Sequence, residues 1–211
     1  MTTTRRQPRS RPETLARRRE ILDAAVEIFG SKGYANGTLV EIADQVGMTH
    51  AGILHHFGSK DQLLLEVLRY RDETDVADLE EQHIPDGMPL FRHLVRTAML
   101  NAQRAGIVQT FVVLSAESVT DDHPARAFFE ARYHQLRREV AHAFRVVCEE
   151  RAVTAPETIA DASASILALM DGLQVQWLLE PDSVDLARAT EFGIEAIVSS
   201  VLDPRPSQLA D

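Results

Sequence analysis

Residues 38–57, TLVEIADQVGMTHAGILHHF, hold two short helical patterns separated by a tight turn. Thr38 suits an N-cap, because its hydroxyl can take one of the backbone N–H groups that a helix start leaves orphaned. Leu39, Ile42, Ala43 and Val46 then recur at helical spacing and define one buried face. Gly47 stops this helix, since the residue just past a helix end often needs a left-handed backbone. Thr49 caps a second helix, which buries Ile53 and Phe57 and leaves His50, Gly52, His55 and His56 elsewhere on its surface. Two helices joined by a short glycine-containing turn describe a helix-turn-helix, whose second helix enters the major groove of DNA.

Upstream, Ile21, Leu22, Ala25, Ile28 and Phe29 line one face of a helix expected from about Arg17 to Ser31. Gly33 ends it, and Tyr34 packs back beneath the module. Downstream, Ser59 caps a further helix with Asp61 in its first turn, and Leu63, Leu64, Val67 and Leu68 continue it. That helix is expected to run to about Gln82 and to link the reading head to the rest.

The order Ile21, Ala24, Ala25, Phe29, Gly33, Tyr34, Thr38, Ile42, Ala43, Gly47, Thr49, Phe57, Ser59, Lys60, Leu63 resembles the TetR family of one-component transcriptional regulators. Leu54 stands where that family usually carries a tyrosine. The resemblance implies phosphate contacts from Thr38, Thr49 and Lys60, which fix register without reading sequence. His50, Ala51 and Gly52 lie on the first turns of the second helix, which face base edges in this kind of docking. His55 can donate to a phosphate, and His56 either does the same or fills space beside Phe57. Gly52 weakens a helix by up to about 1 kcal/mol, which makes sense where backbone approaches bases closely.

The formal net charge of −10 looks wrong for a DNA binder until it is divided along the chain. Residues 1–60 carry 9 Lys/Arg against 6 Asp/Glu, whereas residues 61–211 carry 13 against 26. A basic front and an acidic body orient the protein on a polyanion. Residues 1–18, rich in Arg, Pro, Thr and Ser, read as a flexible basic arm, either a solvated tail or a contact to phosphates and a narrow minor groove. The single Cys148 excludes an internal disulfide and a multi-cysteine metal site. The spacing of His50, His55 and His56, and of Glu130 with His134, is too sparse for a metal, and no cofactor is expected. No apolar run approaches the length needed to span a bilayer, so a cytoplasmic, membrane-free protein is expected.

Prolines at 85, 89, 124, 156, 181 and 204 punctuate the remainder into apolar-periodic segments near 88–105, 107–119, 124–152, 156–180 and 183–202, with Gly106 dividing the first two. Strand signals are missing, so the whole chain is expected to be all-α, with about nine helices. The domains expected are the arm (1–18), the helix-turn-helix head (19–65), a ligand-binding and dimerisation bundle (66–204) and a tail (205–211). Segment 107–119 is apolar nearly all round and should be central. The resemblance implies a ligand cavity among the middle helices. Phe91, Met99, Gln103, Phe111 and Leu114 are candidates to line it from the first half of the bundle. Glu117, Phe128, Tyr133, Met170, Gln174 and Trp177 are candidates from the rest, set against ordinary core packing. The resemblance also implies a homodimer through the last two helices, for which Ile166, Leu169, Leu173, Ile194, Ile197 and Val201 are candidates.

These readings converge on a DNA-binding regulator that meets a double-stranded operator as a homodimer and answers to a small-molecule effector, most simply as a repressor. An activator of the same fold is the alternative. An enzyme would need a nucleophile–base set, a metal cluster or a cofactor loop, and no G-x-G-x-x-G, Walker or G-x-S-x-G pattern occurs. A protein-binding adaptor with a relic head is the remaining rival.

Overall fold

The computed structural model describes residues 11–76, 85–154 and 156–204. Among these the chain forms nine helices and no strand: α1 (Arg11–Asn36), α2 (Leu39–Gln45), α3 (His50–Phe57), α4 (Lys60–Val76), α5 (Met88–Asn101), α6 (Ala105–Glu117), α7 (Arg126–Glu150), α8 (Ile159–Leu179) and α9 (Leu186–Leu202). The expected extension of α4 to Gln82 and the tail at 205–211 fall outside the described residues, as do residues 1–10 of the arm.

The head is built as its sequence requires. Thr38 caps α2 and Thr49 caps α3, each accepting from the backbone N–H three residues on. Gly47 has φ +64°, the left-handed turn that separates the two helices. Ser59 Oγ takes the Gln62 N–H at 3.1 Å and starts α4. Ile21, Ala25, Phe29, Ile42, Ile53, Leu63 and Leu64 are all but inaccessible and bind α1 to α4 into one core. Phe57 is buried with them, and Leu54 packs half-buried against the same cluster. The position that usually holds tyrosine is therefore spent partly on packing.

One boundary moves. The first helix starts at Arg11 rather than near Arg17, so residues 11–18 of the expected arm are helical. At its other end the helix breaks at Gly33 (φ 73°, ψ 173°), and a short turn carries on to Asn36.

Behind the head, α5, α7, α8 and α9 enclose a second core around Phe91, Phe144, Val147, Ile166 and Val198. The Phe91 and Phe144 rings meet tilted by 53°, their centroids 4.7 Å apart. α6 is not central to this bundle; it lies chiefly against α1 and joins head to body, with Val108, Phe111 and Leu114 buried. Gly106 does not divide α5 from α6. The break falls at Arg104 (φ −138°, ψ 55°), and Gly106 sits in the first turn of α6.

α8, 21 residues long with a mean hydropathy of 1.2 over an 18-residue window, is long and apolar enough to cross a membrane by length and composition only, a test that a helix packed into a protein core also passes. Ile166, Leu167, Met170 and Trp177 face the core. Its other side is also apolar, with Ala164, Ala168, Gly172, Val175 and Leu179 exposed.

Candidate nucleic-acid interface and ligand cavity

On the head, Thr38, Thr49, His50, Ala51 and His55 are exposed, with Val40 54% exposed beside them. These residues share the outer side of α2 and α3. Gly52 and His56 are half-buried. A Cβ at Gly52 would lie 3.0 Å from the Met48 methyl, so part of the reason for glycine there is packing inside the turn. His56 packs edge-on to His55 (5.8 Å) and beside Phe57 (6.4 Å).

Thr38 forms a capping box with Glu41. Its Oγ1 accepts the Glu41 N–H at 3.2 Å, and the Glu41 carboxylate accepts the Thr38 N–H at 2.9 Å. Lys32 adds an ion pair to the same carboxylate. The Lys32 bond first, and then the two Thr38 bonds, bring the Glu41 pKa down to about 2.

Lys60 is turned inward. Its ammonium donates to the Tyr34 carbonyl at 2.5 Å and lies over the Tyr34 ring at 4.3 Å, and burial lowers its pKa.

Two arginines assigned to the arm prove to be braces. Arg18 donates to the His56 carbonyl at 2.5 Å, near the C-terminal end of α3, and to Glu66 of α4 at 3.1 Å. Its guanidinium lies over Phe57 at 4.3 Å. Arg17 reaches the Val46 carbonyl at the end of α2 at 3.4 Å. Cations at helix C-termini complement the helix dipole, and here they clamp both helices of the reading module from behind. Their spacing in an irregular Arg-rich segment did not reveal this.

Glu117 is not in the cavity that its sequence position suggested. It ends α6 and takes the Tyr34 N–H at 2.8 Å, just where α1 breaks. A Cβ at Gly33 would collide with this carboxylate, so close approach adds to the left-handed φ as a reason for glycine there. His123, its side chain 9% exposed, lies 3.9 Å from Glu117 and edge-on to Tyr34 at 5.3 Å. The Tyr34 hydroxyl bonds Asp61 at the start of α4. Body and head thus meet in a polar joint made of Tyr34, Lys60, Asp61, Glu117 and His123.

A cavity of about 520 Å³ opens among α4, α5, α6, α7 and α8. Of the expected lining residues, Phe111, Phe128, Tyr133, Met170 and Gln174 are in its wall. The other candidates are elsewhere. Phe91 is inside the body core, Leu114 belongs to the head cluster, and Trp177 packs with Ala98, Val108 and Leu186. Met99 is 53% exposed and Gln103 is exposed. An aromatic residue at the right helical phase fills a core as readily as it lines a hole, so sequence could not separate the two.

The charged wall was missed altogether. Asp72 of α4 bridges Arg71 at 3.1 Å and Arg132 of α7 at 2.5 Å. Arg71 and Arg132 lie over Phe111 at 4.2 and 5.2 Å. Asp171 of α8 accepts the Tyr133 hydroxyl at 2.7 Å. Burial raises the Asp171 pKa, against the opposing pull of the hydroxyl and of both guanidiniums, and burial likewise raises the Tyr133 pKa. In sequence these groups read as helix surface.

The candidate dimer residues also redistribute. Ile166, Ile194 and Val201 are at most 2% exposed, spent in this chain's own core, and Leu169, Leu173 and Ile197 are half-buried. The large apolar side chains left outside on α8 and α9 are Val175 (40%), Leu179 (76%) and Phe192 (75%). Among the described residues no group of three His, Cys, Asp or Glu side chains could hold a metal ion.

Residues 21–67 match the family of bacterial regulatory proteins, tetR family, and residues 91–202 match the BetI-type transcriptional repressor, C-terminal. Over 185 residues the chain is 26% identical to the HTH-type transcriptional regulator BetI 1 of Chromohalobacter salexigens, covering 86% of this chain and 88% of that protein. The repressor SmeT of the Stenotrophomonas maltophilia multidrug efflux pump SmeDEF superposes with a TM-score of 0.70 at 18% identity, covering 94% of this chain and 98% of SmeT. A transcriptional regulator from Saccharomonospora viridis in complex with choline also gives 0.70, at 22% identity, covering 90% and 99%. At these identities the structures bear on the fold.

Proposed function

This chain belongs to the TetR family of bacterial regulatory proteins, and from that membership we propose a homodimeric repressor that a small molecule releases from a palindromic operator. As a ligand-responsive DNA-binding regulator it needs a reading surface, a sensing site and a physical link between them. The observation that carries the reading is α4. It starts at Lys60, directly after the recognition helix α3, and delivers Arg71 and Asp72 into the cavity wall. Twelve residues of helix separate the two ends, about 18 Å at 1.5 Å per residue.

The repressor needs two heads at matched spacing, because a two-fold axis in the protein mirrors that of the operator. The exposed apolar side of α8 and α9, with Val175, Leu179 and Phe192 at its prominent points, supports pairing there. A ligand that favours one placement of α4 alters the separation of the heads. It releases DNA only to the extent that it binds the DNA-free form more tightly, since the coupling is reciprocal.

The test is a mobility shift on the DNA upstream of the protein's own coding sequence, with sedimentation alongside. His50→Ala is expected to change base preference, whereas Lys60→Ala, by loosening the joint to Tyr34 rather than by removing a phosphate contact, lowers affinity on all sequences alike. Phe192→Glu is expected to give monomers that bind a half-site only weakly. Unchanged preference in the first variant together with intact dimers in the last removes this reading.

A further inference from the structure

With the cavity read as the effector site, the chemistry of its wall narrows the effector. We propose that the effector is an uncharged amphiphile whose polar end both accepts and donates a hydrogen bond, as an amide or a phenol does, seated at Asn101 and Gln174.

The carboxylates of the wall already have partners, Glu139 through Gln135 among them. Asp72 lies between Arg71 and Arg132, and Asp171 holds the Tyr133 hydroxyl. An anionic ligand would have to compete with Asp72 for guanidiniums that it already bridges, so it would break one ion pair for each that it makes. A quaternary ammonium is best held by several open aromatic faces, and of Phe111, Phe128 and Tyr133 in the wall the first already carries Arg71 and Arg132.

Among the neutral side chains of the wall, two keep a buried polar atom unmet. Asn101, at the end of α5, is 1% exposed, and Gln174 of α8 is 5% exposed; both line the cavity. Asn101 Oδ1 takes two bonds from Arg104, at 3.2 and 2.9 Å, which assigns its Nδ2 as the donor. That Nδ2 and Gln174 Oε1 are buried without partners. Folded proteins pair nearly all such groups, so an unpaired donor and an unpaired acceptor in one wall call for a partner of complementary kind. A ligand that supplies both bonds replaces any water there without losing a contact. Its apolar remainder would lie against Leu94, Phe128, Leu167 and Met170.

The experiment uses the full-length protein and three probes with one apolar body: 4-butylbenzamide, 4-butylbenzoate and 4-butylbenzyltrimethylammonium. Titration calorimetry is expected to show the amide binding about tenfold tighter than either charged probe. Asn101→Leu and Gln174→Leu should each weaken the amide about tenfold while melting cooperatively, and Gln174→Leu leaves the Arg104 contact intact as a check on folding. Tighter binding of the benzoate or of the ammonium, no binding of the amide, or an amide affinity unmoved by both substitutions overturns the assignment. Leu94→Trp, which fills the cavity, separates the two levels. If it abolishes binding while the probe order is reversed, only the chemical class is wrong. If the amide binds the filled variant as tightly as before, the cavity is not the sensing site.

Discussion

In the reading head, α2 and α3 are seven and eight residues long, and named polar bonds fasten them at both ends. Thr38 and Thr49 hold their starts, and Arg17 and Arg18 hold their last carbonyls. In the body, helices of up to 25 residues surround a cavity, and the buried amides of Asn101 and Gln174 each keep an atom without a partner. A short helix in water is marginal by itself, so a surface that must present base contacts in fixed register needs such fastening. A sensor needs the reverse: unmet polar capacity that a ligand can complete. The polar joint at Tyr34 and Glu117 lets the second region act on the first.

If head and body are energetically separable in this way, the sharpest break should come from the head core. Ile53→Ala, at a fully buried position in α3, is expected to cost about 2–5 kcal/mol and to abolish operator binding. A thermal shift from a cavity ligand should survive it; loss of that response as well would show the two regions to be one cooperative unit.

Arg18→Ala comes next. Removing the charged bonds to the His56 carbonyl and Glu66 should cost about 1–3 kcal/mol and weaken the operator complex with base preference unchanged. Equal denaturant midpoints for variant and parent would show that the clamp is idle.

Glu117→Ala tests the joint itself. Operator affinity without ligand should hold, while the ligand's effect on it falls about fivefold, near 1 kcal/mol of coupling. An unaltered response in a DNA-release titration would place the coupling elsewhere, with the Asp72–Arg132 link as the next candidate.

The smallest effect is the pH dependence of the α2 cap. The Glu41 pKa is lowered to about 2 by Lys32 and Thr38, so its contribution is complete above the ordinary value of 4.5 and is lost as pH falls towards 2. Glu41→Gln should flatten that limb of the stability curve and change nothing near neutrality, as read by circular dichroism melts.

The sequence alone determined the helix-turn-helix, its caps and turn, the all-helical class and the basic-to-acidic polarity of the chain. Those features are local: a cap reaches three residues, a helical face repeats within four, and Gly47 answers to its own φ. The cavity wall, the outward face of α8 and α9, and the part played by Glu117 were decided by tertiary structure. Arg71, Asp72, Arg132 and Asp171 look like solvated helix surface until three helices bring them together, 100 residues apart at the extremes. Leu179 and Phe192 carry the same apolar signal as Ile166 and Ile194, and only packing determined which pair was buried. Periodicity shows that a helix has an apolar side; which neighbour covers that side depends on contacts between residues far apart in the chain.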